Sequence, residues 1–115
     1  MSAGIRKLEE AMQELEQEIA VETENLKSAF ARVAESMPED MSYYLIGIQT
    51  GSVVKAYHLT SKGVGVQGEG FVTAAEFIDS AMRFANFPKR KIEVLADLAG
   101  HLQKIEAKIG CQQTT

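Results

Sequence analysis

The chain predicts an α+β domain: one long N-terminal helix, a three-stranded antiparallel β-meander, and two C-terminal helices packed on the sheet. Three observations carry this. Apolar residues recur at three- and four-residue steps from Ile5 to Met37, the period of one helical face. Between Ser42 and Gly68 they alternate in twos and are punctuated by glycine, as strands joined by turns are. From Thr73 the helical period returns and runs to Ile109, interrupted at Pro88. At 115 residues a single domain over 1–115 is expected.

The first helix is placed at 5–37. Ile5, Leu8, Met12, Leu15 and Ile19 form a heptad seam. Beyond Ile19 the pattern slips through Thr23, Leu26, Phe30, Val33 and Met37, a stutter that relaxes a supercoil. Ala29, Ala31 and Ala34 raise helix propensity. Pro38 ends the helix, because its ring biases Met37 away from α geometry and it has no N–H to donate.

The segment 42–68 reads as the meander. Tyr43 to Ile48 and Val53 to Thr60 alternate as two strands, joined by Thr50-Gly51-Ser52 with Gly51 at positive φ. Ser61-Lys62-Gly63 is a second turn, Val64 to Gln67 a third strand, and Gly68-Glu69-Gly70 the exit from the sheet. Thr73 and Glu76 are spaced as a capping box for a helix over 73–86. Pro88 suits the first position of the last helix, 88–109. Ile92, Leu95, Leu98, Leu102, Ile105 and Ile109 stripe that helix, Gly110 is its natural stop, and residues 111–115 are expected to fray.

Composition narrows the function classes. The net charge of −4 sets the overall field against nucleic acid and anionic membrane. A single cysteine, Cys111, permits no internal disulfide and suits a cytoplasmic location. The first residues meet charge at once, unlike a secretory leader. The longest uncharged run, 41–54, is too short to span a bilayer. Gly63, Gly65 and Gly68 match the dinucleotide-binding glycine spacing by letters, but the following helix begins too late to hold a pyrophosphate. A bent edge strand explains them better. Asp97 and His101 lie one turn apart and read as a solvated pair rather than the start of a metal site. Tyr43, Tyr44 and Tyr57 have only Lys55 and Lys62 nearby, too few cations for a nucleic-acid stacking face. No catalytic residue, cofactor contact or metal ligand is assigned.

Two surfaces stand out. The first helix outruns the last, about 48 Å against about 33 Å, so the Ile5, Leu8, Met12, Leu15, Ile19 end of its seam is expected to lie uncovered and to form an interface. With Ile5 at a and Leu8 at d, Glu9 and Glu16 fall at e and Glu18 at g, so the flanks facing each other in a parallel pair would be mostly negative. An antiparallel homodimer, or contact with a basic helix carrying Lys89, Arg90, Lys91, Lys104 and Lys108, fits better. The second surface is Lys89-Arg90-Lys91, cations in the first turn of a helix whose dipole is already positive there. Such a placement wants an anion: an acidic protein face or a phosphate. The sequence therefore points to a small, non-catalytic, cytoplasmic protein-interaction module, homodimeric through its first helix. The runner-up is a small-ligand or phosphate-binding module at the sheet–helix junction near Lys89–Lys91.

Overall fold

The computed structural model describes residues 2–66 and 69–113, with side-chain surroundings for those between 4 and 110. Helix α1 spans Ser2–Ser36, followed by β1 (Tyr43–Tyr44), β2 (Tyr57–Thr60), β3 (Gly63–Val66), β4 (Gly70–Val72), α2 (Ala74–Phe84) and α3 (Pro88–Gln113). The strands form one antiparallel sheet in the order β1-β2-β3-β4. The fold is thus α+β with a long N-terminal helix, and its sheet has four strands rather than the expected three.

The extra strand is β4. Gly70 has φ 89, which turns the chain back instead of out, and Val64↔Val72, Gly65↔Phe71 and Val66↔Gly70 then pair. The glycine-rich strand β3 is consequently interior, not an edge; Gly68 of that pattern lies outside the described residues. The first hairpin also differs. β1 is two residues long, and after Leu45 N–H donates to the Tyr57 carbonyl (3.0 Å) the two arms separate into an irregular loop over 46–56. Gly51 is not at positive φ; Gly47, at φ 90, turns the chain instead. At the other end α3 runs through Gly110 to Gln113, because glycine inside a helix costs only about 1 kcal/mol when nothing else ends it.

Helix ends follow local chemistry. Pro38 stops α1, and Met37 N–H closes the last turn on the Ala34 carbonyl at 3.2 Å. Thr73 caps α2, its hydroxyl accepting from Glu76 N–H at 3.1 Å. Pro88 separates α2 from α3 as two helices, and Lys91 N–H closes the first turn of α3 on the Phe87 carbonyl at 2.9 Å.

The sheet's inner face is covered by α2 against β3, and α1 packs in turn on α2 and α3. Tyr57, Leu59 and Val64 point inward, where Tyr57 packs on Phe77 with ring centroids 4.9 Å apart. The core centres on Phe30, Leu59, Val64, Ile78, Leu98 and Ile105. Ile92 is exposed although it belongs to the predicted stripe of α3, because it sits more than about 100° round the helix from the centre of the face that Val94, Leu95, Leu98, Ile105 and Ile109 bury. Lys27 ties α1 to α2 through Asp79 at 2.5 Å and pairs with Glu24 at 3.1 Å. The hydrogen bond to Asp79, then that to Glu24, holds the Lys27 ammonium above its ordinary 10.5. Among the described residues no helix is long and apolar enough to cross a membrane.

Candidate interaction surface

Helices α1 and α3 run side by side in the same direction. A groove lined by Ile19, Thr23, Met82, Asn86, Pro88 and Lys91 marks where α3 starts beside α1. A second, lined by Ala29, Val33, Ser36, Glu106 and Ile109, marks the far end of their contact. Pro88 therefore fixes where cover over α1 begins. Everything N-terminal to it is an arm. α1 is 35 residues long, about 52 Å, and the molecule measures 62 × 33 × 18 Å.

Along this arm Ile5 is 61 % exposed, Leu8 67 % and Met12 56 %, whereas Ile19 is 8 %. Leu15 lies between, half-buried against the core. At 3.6 residues per turn these five fall on the same side of the helix as Leu26, Phe30 and Met37, which are buried. The arm's seam is thus the core-facing stripe of α1 continued past the body. At the stutter, Thr23 Oγ1 satisfies itself by donating to the Ile19 carbonyl at 2.6 Å. Charge on the arm is segregated: Arg6 and Lys7 near the tip, then Glu9, Glu10, Glu14, Glu16 and Glu18 toward the body.

The cations at the start of α3 are not brought together into one anion cradle. Arg90 pairs with Glu93 of its own helix at 3.1 Å, and Lys89 is exposed. Lys91 lines the groove at the base of the arm, a space of about 460 Å³ whose walls also carry Glu16, Glu24 and Asp79. Lys104 lies with Tyr43, Asp97 and His101, and Lys108 donates to the Ser42 carbonyl at 3.3 Å.

The solvated pair expected between Asp97 and His101 is not made; His101 takes other partners. Its Nε2 meets the Ile46 carbonyl at 2.8 Å and its Nδ1 meets the Tyr43 hydroxyl at 3.2 Å. Only a donor satisfies a carbonyl, so the fitting tautomer carries its proton on Nε2 and accepts from Tyr43 on Nδ1. Both nitrogens are then engaged, Nδ1 tying β1 and Nε2 tying the irregular loop to α3. Among the described residues no three acidic, histidine or cysteine side chains cluster as metal ligands.

The sheet's outer face carries a feature that the sequence reading missed. Register places Tyr44, His58, Gly65 and Phe71 in one cross-strand row. Tyr44 and His58 centroids are 6.1 Å apart, His58 and Phe71 5.9 Å. Gly65 has no side chain, so the His58 and Phe71 rings close over it, where a Cβ would collide with both. Tyr43 and Tyr57 belong to the inner face instead. Beside the row, the diverging arms of the first hairpin bound an open groove of about 540 Å³ between Tyr44, Ile46, Ile48, Val54 and Tyr57.

Neither protein-family models nor curated proteins nor solved structures give a match to this chain.

Proposed function

We propose that this chain is a non-catalytic interaction module that self-associates through the arm of α1. The observation that carries the reading is one seam with two fates: buried from Ile19 onward, open at Ile5, Leu8 and Met12. A contiguous apolar stripe held in water by a helix rooted in its own core is the usual mark of a protein contact. The charged residues flanking it keep the arm soluble when unpaired. The lone cysteine suits a reducing, cytoplasmic setting. The phosphate-binding alternative near Lys89–Lys91 has less support, since Glu16, Glu24 and Asp79 line the groove that Lys91 enters.

Leu8→Glu tests the reading. The wild-type chain is expected to sediment with about twice its 12.6 kDa mass at the upper end of the micromolar range. The variant should remain at 12.6 kDa with the same thermal unfolding at low protein concentration, because Leu8 touches no core residue. A wild-type chain of monomer mass at every concentration would remove the proposal.

A further inference from the structure

We infer that His101 and Lys108 of α3 form an autoinhibitory contact on the edge of β1, closing it against strand pairing with a second copy of the chain. This contact is independent of the α1 arm.

β1 ends the sheet, so one side of its backbone has no strand beside it. Register fixes which groups point that way. Leu45 N–H donates to the Tyr57 carbonyl, and Tyr44 lies opposite His58. In an antiparallel ladder this makes Tyr44 and His58 a non-hydrogen-bonded pair, so the peptide groups of Ser42, Tyr44 and Ile46 face outward. α3 takes two of those three carbonyls. Lys108 Nζ donates to Ser42 at 3.3 Å, and His101 Nε2 donates to Ile46 at 2.8 Å. His101 and Lys108 stand about two helical turns apart, so one face of α3 supplies both. Tyr43 sets the His101 ring for this. Its hydroxyl donates to Nδ1 at 3.2 Å, and the two rings meet edge to face with centroids 5.6 Å apart. Only Tyr44, between the two, keeps outward peptide groups with no partner among the described residues.

The composition of this edge explains why it is closed. From Met41 to Val54 there is neither a charged residue nor a proline, and Tyr43-Tyr44-Leu45-Ile46 lies within that run. Short segments of high β-propensity and low charge, without proline, are those that stack on identical copies of themselves. Edge strands ordinarily resist this with a lysine or proline of their own. β1 has neither, and the cation reaches it from Lys108 instead. A row of outward N–H and C=O groups takes another extended backbone, and an uncharged β1 meets its own copy without repulsion. That makes a second β1 the occupant that the two side chains displace. The opposite edge is blunted differently, since β4 is three residues long.

His101→Ala combined with Lys108→Ala removes both contacts. Placed in a chain that also carries Leu8→Glu, the pair is read without association through the α1 arm. The expected result is loss of the monomer on sedimentation, with a new low-frequency amide I band of intermolecular β-sheet, at a concentration where Leu8→Glu alone stays monomeric. Lys89→Ala with Gln103→Ala, at exposed positions of the same helix and with the same loss of one lysine, should change neither. Adding Tyr44→Pro to the His101→Ala, Lys108→Ala chain shows whether β1 is the contact. The sheet does not use the outward N–H of Tyr44, so an edge proline is tolerated there but blocks a strand arriving from outside. Recovery of the monomer supports the inference. Assembly that persists with Tyr44→Pro overturns it. So does a His101→Ala, Lys108→Ala chain that stays monomeric, whether folded or unfolded, because the two side chains would then only prop the loop.

Discussion

Phe30→Ala is expected to destabilise the fold by about 3–5 kcal/mol, whereas Leu8→Ala, on the same helix face, changes monomer stability by no more than about 0.5 kcal/mol. Phe30 is 2 % exposed and belongs to the same buried core cluster as Leu26, Ala34, Leu98 and Ile105, so its removal leaves a cavity in the core. Leu8 stands in water already. Total stability of a domain this size is about 5–15 kcal/mol, so the first change takes a large share of it. Urea unfolding at concentrations too low for pairing reads both values. Comparable losses would mean that the arm folds as part of the core. At high concentration the order of effects on association reverses, since Leu8 is the seam residue.

What the sequence made legible follows from how local each signal is. The helical period of α1 needs only its own residues, and Pro38 and Pro88 act within a residue or two, so the helices and their breaks could be read directly. The uncovered arm was also readable, as an excess of helix length over anything available to cover it. Where cover ends was not, because Ile19 is buried where Met82 and Pro88, from distant sequence, come up beside it. The sheet was legible only in outline. Val53 to Lys55 alternate like a strand, yet their would-be partners at 46–49 diverge once Leu45 has bonded Tyr57. β4 is exposed along its whole length and shows no alternation, so Gly70-Phe71-Val72 looks like a link until the turn at Gly70 pairs it. The aromatic row across Tyr44, His58 and Phe71 depends on register over three strand pairs. No spacing within one strand announces it. Gly65, a glycine between two valines of a strand, was the one local sign that something closes over the backbone there.

The same reasoning makes the glycines of this chain respond in opposite directions, and Gly63→Ala is expected to be the second most damaging substitution. Gly63 opens β3 at φ 116, where an L side chain is strained, and its added Cβ would run into the Val72 carbonyl. That oxygen belongs to the backbone of β4, which is held in register by Val64↔Val72, so it cannot swing aside as a side chain would. The turn before it is fixed as well: Thr60 Oγ1 donates to the Gly63 carbonyl at 3.2 Å and accepts from Lys62 N–H at 3.1 Å. Backbone strain of this kind costs about 1–3 kcal/mol, and the displaced β3–β4 pairing adds to it. Gly100→Ala is the matched opposite. Gly100 lies inside α3, its φ is not positive, and nothing stands within 4 Å of an added Cβ. Alanine there should raise stability by about 0.5–1 kcal/mol through helix propensity and the entropy of the unfolded chain. Chemical denaturation of the two variants beside the parent measures both. Tolerance of Gly63→Ala without loss would mean that β4 does not pair with β3 as described, and would return the sheet to the three strands that the sequence alone suggests.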